Sequence, residues 1–571
     1  MSRLPHPLLR PANLYLLLSY ALLSCVPLAA PLMGVPGGDP WQLLGAGVFA
    51  WIAAWALFKR PAWFHWALLP AFLALPTELY LLTYYGQGIS THHLGIIAET
   101  SPSEALEFLG AKAWLLGAVL LAVLLWFGST WVVAWRTRDL DWNDRSRWLA
   151  LGVLVTAALA AAYGPAVGVP APPVDRAGLA RSWPFGLSLR GIDFYKERVY
   201  LAELNRRSAA FRFGARQAGL EHGPQVVVVV IGESSRYDRW SLNGYARETN
   251  PLLAREENLV MLQDVITPVS ATRLSVPVII SRKPAMQSLK DGFSEKSFLS
   301  AFKEAGFKTF WISNQVSFGK FDTPVSVFAK EADDVQFLNL GGFSDASNHD
   351  SVLLEPLRRA IADPAQKVLV VLHTLGSHWN YGHRYPKEFD RWLPSLQSIA
   401  KPDYTDTRIE PQMNNSYDSA ILYTDWFLSN VVRLLKESSL PSSLLYVADH
   451  GQTLYDKSCK IAFHGHNTQY EFHVPAFVWY SDAYRERFPD KVAQLRKHRK
   501  ARLSTENMFH TVLDMADIRY PGERLEWSFV NPALKRHKRY VDSWGWTDYD
   551  DATMKGDCRE VIAKGKPLPR S

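Results

Sequence analysis

The sequence predicts a multi-span α-helical membrane domain over residues 1–168, a bridging segment over 169–220, and an α/β sandwich over 221–571. Three observations predict it. Nearly all formal charge lies beyond residue 135, although 48% of the 571 residues are hydrophobic and 21 are Trp. Five apolar stretches follow one another in the first third, at or near the roughly 20 residues that cross a bilayer. Short β-branched runs then alternate with amphipathic segments of helix length, the pattern of a sheet covered on both faces.

The apolar stretches fall at 13–33, 41–58, 62–84, 113–135 and 148–168. The first is long and four more follow, which describes an anchored polytopic chain rather than a cleaved signal peptide. Arg3 and Arg10 precede the first stretch, Lys59 and Arg60 follow the second, and Arg136, Arg138, Arg145 and Arg147 follow the fourth, whereas 34–40 has no basic residue. All the basic loops therefore fall on one side, the cytoplasmic one, and an odd number of spans delivers the remainder to the opposite face. On that outer face, Glu99, Glu104 and Glu107 in the 86–112 loop have the spacing of one side of a short helix along the membrane. It is a solvated face or a lid. The Pro-, Arg- and aromatic-rich stretch 169–220 reads as a bridge along the headgroups.

In the last part, strands are expected at 225–231, 258–266, 308–313, 367–373, 443–448 and 474–480. The net charge of +7 comes from 62 basic residues dispersed among 55 acidic ones. Without a recognition motif, that balance predicts no nucleic-acid partner. The cysteines are Cys25, Cys459 and Cys558. Their number excludes a thiolate zinc finger and leaves one disulfide open to the globular part, Cys459 with Cys558, if that part lies in an oxidising compartment.

In an open α/β sheet the chemistry collects where strands end. Glu233 follows the first strand, Thr272 the second, His373 and His378 the fourth, and Asp449 and His450 the fifth, with His464 and His466 soon after. A carboxylate, a carboxylate–imidazole pair and a hydroxyl are ligands that zinc accepts without thiolate, and four of them complete a tetrahedron. A metal so held lowers the pKa of a coordinated hydroxyl, which would make Thr272 both ligand and nucleophile. The blander readings are that Glu233 caps a helix, that Thr272 caps a helix opening at Ser275, that Ser270 or Ser275 replaces Thr272, and that His373 is a core histidine.

Ile-Gly-Glu-Ser-Ser-Arg at 231–236, Ser-Leu-Asn-Gly-Tyr at 241–245 and Arg-Glu-Thr-Asn-Pro at 247–251 are followed by Thr-Arg-Leu-Ser-Val-Pro at 272–277 and Phe-Trp-Ile-Ser-Asn-Gln at 310–315. His-Thr-Leu-Gly-Ser-His at 373–378, Tyr-Pro at 385–386 and Ala-Asp-His-Gly at 448–451 complete the series. In this order the motifs closely resemble the phosphoethanolamine transferases of Gram-negative envelopes, which belong to the alkaline phosphatase and sulfatase superfamily. The resemblance covers the globular part and the five-span anchor.

It implies a periplasmic α/β sandwich of alkaline phosphatase/sulfatase type on a bacterial inner-membrane anchor, acting as a monomer. It implies that Glu233, Thr272, Asp449 and His450 bind one Zn2+, with room for a second, and that Thr272 carries phosphoethanolamine between a phosphatidylethanolamine donor and a glycolipid or glycan acceptor. His378 and His464 match the pair of histidines near the transferred phosphate. His466 competes with His464 for that place. Asn314, Gln315 and Lys320 occupy the stretch near the ethanolamine or its phosphate, and the Tyr and Trp residues around 379–385 would meet lipid, an ammonium or only solvent.

Two departures bear on the acceptor. Gln452 stands after Asp-His-Gly where enzymes acting on lipid A usually carry an acidic residue, and no Cys flanks Thr272. Both weaken a lipid A assignment, while Asn-Gln after Phe-Trp-Ile-Ser, and the stretch 308–335 as a whole, look closer to enzymes that decorate the heptose or Kdo core of lipopolysaccharide. Three rival activities are a phosphoglycerol transferase with the same metal site, a noncatalytic scaffold, and a sulfatase. The last needs Arg four residues after its nucleophile; Ser275 and Pro277 fit that pattern, but Ile279 stands in the Arg position.

Overall fold

A computed structural model describes residues 7–28, 40–85, 88–90, 93–94, 97, 112–163, 176–218, 223–286, 295–315, 323–339, 349–399, 402, 406–543 and 545–565. It divides into two compact units, Met1–Arg198 and Val199–Ser571. The division lies within the 169–220 stretch read as a bridge. Glu99, Glu104, Glu107 and Lys320 lie outside the described residues.

A helix overlaps each of the five apolar stretches of the first unit: α1 Pro11–Ser24, α2 Pro40–Phe58, α3 Leu69–Tyr85, α4 Lys112–Arg136 and α5 Ser146–Tyr163. A sixth helix, α6 Gly186–Ala209, runs across the division. Among the described residues one helix, Trp114–Arg136, is by itself long and apolar enough to cross a membrane. Leu43–Phe58 and Pro61–Leu79 pass that test together but bend by 116°, and Pro11–Ser24 and Ser146–Thr156 are shorter apolar helices. Large apolar side chains face outward, among them Trp114 at 87% and Leu149 at 72% exposure. The unit's interior holds an aromatic cluster that includes Tyr20 and Phe64.

The second unit is built on seven strands: β1 Gln225–Gly232, β2 Leu259–Leu262, β3 Lys308–Ser313, β4 Asp334–Phe337, β5 Lys367–His373, β6 Ser442–Ala448 and β7 Ala476–Tyr480. Their order is β2-β7-β6-β1-β5-β3-β4. β1 pairs in parallel with β5 and β6, and β7 is antiparallel to both its neighbours. Because strand side chains alternate between faces, the Val-rich β1 feeds two cores. Val227, Val229 and Ile231 pack with α7 Thr272–Ile280 and α10 Asn507–Met515, while Val226, Val228 and Val230 pack with α8 Leu354–Ile361 and the long α9 Glu410–Ser438. This is the expected sandwich, with every residue of β1 buried.

Two expectations are refined. The run at 258–266 is divided, since Leu259–Leu262 joins the main sheet and Val265–Ile266 pairs with Leu503–Ser504. Cys459 and Cys558 form a disulfide across 99 residues. Around it the C-terminal hairpin, in which Thr553–Lys555 pairs with Glu560–Ile562, lies along the stretch that bears His464: Gln469 N donates to Arg559 O at 2.8 Å and Val561 N to Asn467 O at 3.0 Å.

Candidate active site and metal centre

β1 ends at Gly232, and the chain leaves the sheet through Glu233 and Ser234. Ser234 holds a left-handed φ of 54°, a costly conformation for a residue with a side chain, of the kind that concentrates at functional sites. It is held from both sides: Ser234 N donates to Asp449 Oδ1 at 3.1 Å, and its hydroxyl donates to Glu233 Oε1. β6 ends next to β1 and delivers Asp449 and His450. Gly451 follows because a Cβ there would lie 2.0 Å from Tyr470 O.

Glu233, Asp449 and His450 each offer a ligand atom, and these atoms lie within 4.8 Å of one another. His450 Nε2 is 3.5 Å from Glu233 Oε1 and 3.6 Å from Asp449 Oδ2. His450 Nδ1 is 2.8 Å from Gly451 O, and since a carbonyl only accepts, that nitrogen carries the proton and Nε2 turns a lone pair to the carboxylates. Thr272 joins them from across the sheet. It is the first residue of α7, with Ala271 in the capping position, so the capping reading of Thr272 does not hold. Its Oγ1 donates to Glu233 Oε2 at 2.9 Å and lies 3.4 Å from His450 Nε2. Ser275, one turn on, instead donates to Asp449 Oδ2 at 3.3 Å.

Two buried carboxylates, an imidazole lone pair and a hydroxyl facing one point form the donor set of a hard or borderline divalent cation. Among the described residues, Asp449 receives hydrogen bonds only from the neutral donors Ser234 N, His450 N and Ser275 Oγ. Buried carboxylates so arranged call for a cation. The residues therefore fit a metal.

His464 packs against this centre, its ring centroid 4.5 Å from that of His450. His466 turns elsewhere, with Nε2 at 3.0 Å from Ala462 O. The loop bearing both is gathered by buried Glu471, which accepts from the backbone nitrogens of Gly465, His466 and Asn467. His378 Nδ1 lies 2.7 Å from Trp379 O, which leaves its Nε2 to accept. Burial pushes the His378 imidazole down to about 3, with Arg384 and His450 adding to it. Burial likewise pushes His464 down to about 2, helped by His450 and His378. Both rings are neutral at pH 7 and resist protonation, which leaves each with a lone pair for a hydrogen-bond donor or a cation.

A family model described as Sulfatase matches residues 225–518, more than half of the chain. The chain belongs to the sulfatase family. This sulfatase-family chain is 29% identical over 332 residues to phosphoethanolamine transferase EptC of Escherichia coli strain K12, covering 56% of this chain and 55% of that protein. It is 29% identical over 365 residues to phosphoethanolamine transferase CptA of Salmonella typhimurium, 61% of each. The matches thus span little more than half the length of these curated relatives. The crystal structure of the C-terminal periplasmic domain of E. coli EptC in complex with Zn has a TM-score of 0.53 and 27% identity, covering 59% of this chain and 95% of that one.

Within this sulfatase-family fold, Asn314 and Gln315 stand behind the metal cluster. Gln315 Nε2 donates to Glu233 Oε2 at 3.1 Å and to Thr374 O at 2.8 Å, while Asn314 Nδ2 donates to Asp350 Oδ1 at 2.9 Å. Both are buried, with their amides turned to Asp350 and Glu233. Tyr381 and Tyr385 are also buried, Tyr381 edge-on to Tyr417, and are neither a lipid surface nor an exposed ammonium platform. His373 is a core residue against Trp311, as its blander reading held. Sequence reasoning missed Asp350, Glu471 and Ser234 as organisers. Only Ser234 carried a signal, its place beside Glu233 at the end of an apolar strand.

Proposed function

We propose that this chain transfers phosphoethanolamine from phosphatidylethanolamine to an envelope glycolipid, lipopolysaccharide core or lipid A, or to a glycan, through a covalent intermediate on Thr272. The observation that carries this reading is the meeting of Thr272 Oγ1 with Glu233 and His450 at the N-terminus of a helix. The names of EptC and CptA and the zinc complex of the E. coli EptC domain support the reaction and the metal. A helix overlapping each of the five apolar stretches supports a multi-span inner-membrane anchor, and the basic loops gathered on one side support a periplasmic catalytic unit. A monomer with one zinc, and room for a second, suffices for this chemistry.

Glu233, Asp449, His450 and Thr272 would hold the zinc. When bound, zinc supplies a Lewis acid that favours the ionised threonine hydroxyl and draws charge from the phosphoryl group. Glu233 orients Thr272 Oγ1 by accepting its hydrogen bond, and the helix N-terminus of α7 adds partial positive charge where phosphoryl oxygens gather. In the first half-reaction the Thr272 Oγ–P bond forms as the bond from phosphorus to the diacylglycerol oxygen breaks, and that oxygen takes up the proton released by the Thr272 hydroxyl. In the second, an acceptor oxygen attacks the phosphothreonine, the Thr272 Oγ–P bond breaks, and the acceptor's proton returns to Thr272 Oγ, with His378 and His464 placed beside the transferred phosphate. Lys320 would meet the substrate, as the resemblance implies, whereas His466, turned to Ala462 O, yields that place to His464. Gln452 and the Cys-free flanks of Thr272 favour a core acceptor over lipid A.

The test offers headgroup-labelled phosphatidylethanolamine to the zinc-loaded full chain in detergent and follows intact mass and diacylglycerol release. One phosphoethanolamine should add, and fragmentation should locate it on Thr272. Diacylglycerol release without an adduct there rejects the intermediate.

A further inference from the structure

Asp350 is buried, and the proposed reaction gives it no chemical part. It opens the turn Asp350–Leu353 that leads into α8. Its two oxygens accept three hydrogen bonds: Leu375 N at 2.8 Å and Asn314 Nδ2 at 2.9 Å on Oδ1, and Gly376 N at 2.9 Å on Oδ2.

Both segments that it grips act on Glu233. The 374–378 turn holds the Glu233 backbone: Ser377 N donates to Glu233 O at 3.0 Å, and Gly376, at φ 45°, approaches so closely that a Cβ would lie 2.7 Å from that same oxygen. The Asn314–Gln315 segment holds the Glu233 side chain, through Gln315 Nε2 on Oε2. Gln315 also donates to Thr374 O, which ties the two arms together.

We propose that Asp350 is a positioning residue for the metal centre, joining the two arms that fix the backbone and the carboxylate of Glu233. This rests on the metal reading given above. The physical reason is geometric. A ligating carboxylate keeps its direction only if the groups hydrogen-bonded to it are themselves held, and a buried acceptor of N–H groups from two segments holds both at once. Asp350→Asn tests this closely, because it keeps shape and volume while turning one acceptor into an NH2 that faces an N–H donor.

The experiment measures zinc affinity of the full chain in detergent by competition with a chromophoric chelator, together with thermal unfolding. Asp425→Asn is the control. Asp425 is another buried carboxylate accepting two backbone N–H groups, from Leu252 at 2.9 Å and Leu253 at 3.0 Å, with no contact to the site. Asp350→Asn should weaken zinc binding by about 10-fold or more, Asn314→Ala should weaken it in the same direction, and Asp425→Asn should leave it unchanged. If Asp350→Asn does not fold, Asn314→Ala decides. Wild-type zinc affinity in Asp350→Asn, or in Asn314→Ala where that variant decides, overturns the proposal. So does equal weakening by Asp425→Asn, which would mark a general loss of stability. A wild-type chain that takes up no zinc would be seen in its own arm and overturns the metal reading as well.

Discussion

Thr272 Oγ1 donates to Glu233 Oε2 at 2.9 Å across 39 residues of sequence, joining the first residue of α7 to the end of β1. The hydroxyl is therefore aimed by a carboxylate that also belongs to the candidate metal centre formed with Asp449 and His450. Thr272→Ala should reduce headgroup transfer by on the order of 10³-fold or more, with thermal unfolding little changed. Thr272→Ser keeps the hydroxyl and should retain activity within about 10-fold, since only a methyl group is lost. Equal activity in Thr272→Ala and wild type would remove Thr272 from the reaction.

Asp425 supplies a pH-dependent prediction away from the site. Burial pushes its carboxyl up to about 7 from the ordinary 3.8, against the lowering effect of the Leu253 and Leu252 N–H groups. Between those values the folded protein holds a proton that the unfolded chain has released, so stability falls as pH rises. The contribution is full below pH 4 and lost by about pH 7, on the order of 4 kcal/mol in all. Thermal unfolding of wild type and Asp425→Asn from pH 4 to 8 should show wild type losing stability relative to the variant over that window. A difference independent of pH would contradict the assignment.

The Cys459–Cys558 disulfide closes a loop of 99 residues in sequence and fastens the C-terminal hairpin beside the His464 loop. Replacing both cysteines by serine should cost about 2–5 kcal/mol of stability. Headgroup transfer should fall as well, because Tyr470 and Gln469 near His464 bond to the fastened segment. Reductant should reproduce both effects in wild type and leave the variant unaffected, as unfolding and transfer assays would record.

Much of the fold was legible because its signals are local. The uninterrupted Val226–Val230 run needs apolar neighbours on both faces whatever surrounds it, and β1 lies centrally between β5 and β6 with both faces covered. The short Asp334–Phe337 strand escaped notice. It is an edge strand, half-buried throughout, and its composition has no clear alternation.

The site divides in the same way. Sequence alone determined that acidic, hydroxyl and imidazole groups stand where strands end, and ordered motifs then singled out Glu233, Thr272, Asp449 and His450. Only the tertiary structure decided that His464 rather than His466 packs on His450, that Gln315 bonds to Glu233 and Asn314 to Asp350, and that Cys459 meets Cys558. The reason is range. Strand and helix patterns repeat every few residues, whereas the direction of a site side chain is set by contacts such as Ser234 N to Asp449 Oδ1, 215 residues apart, which leave no periodic trace in the chain.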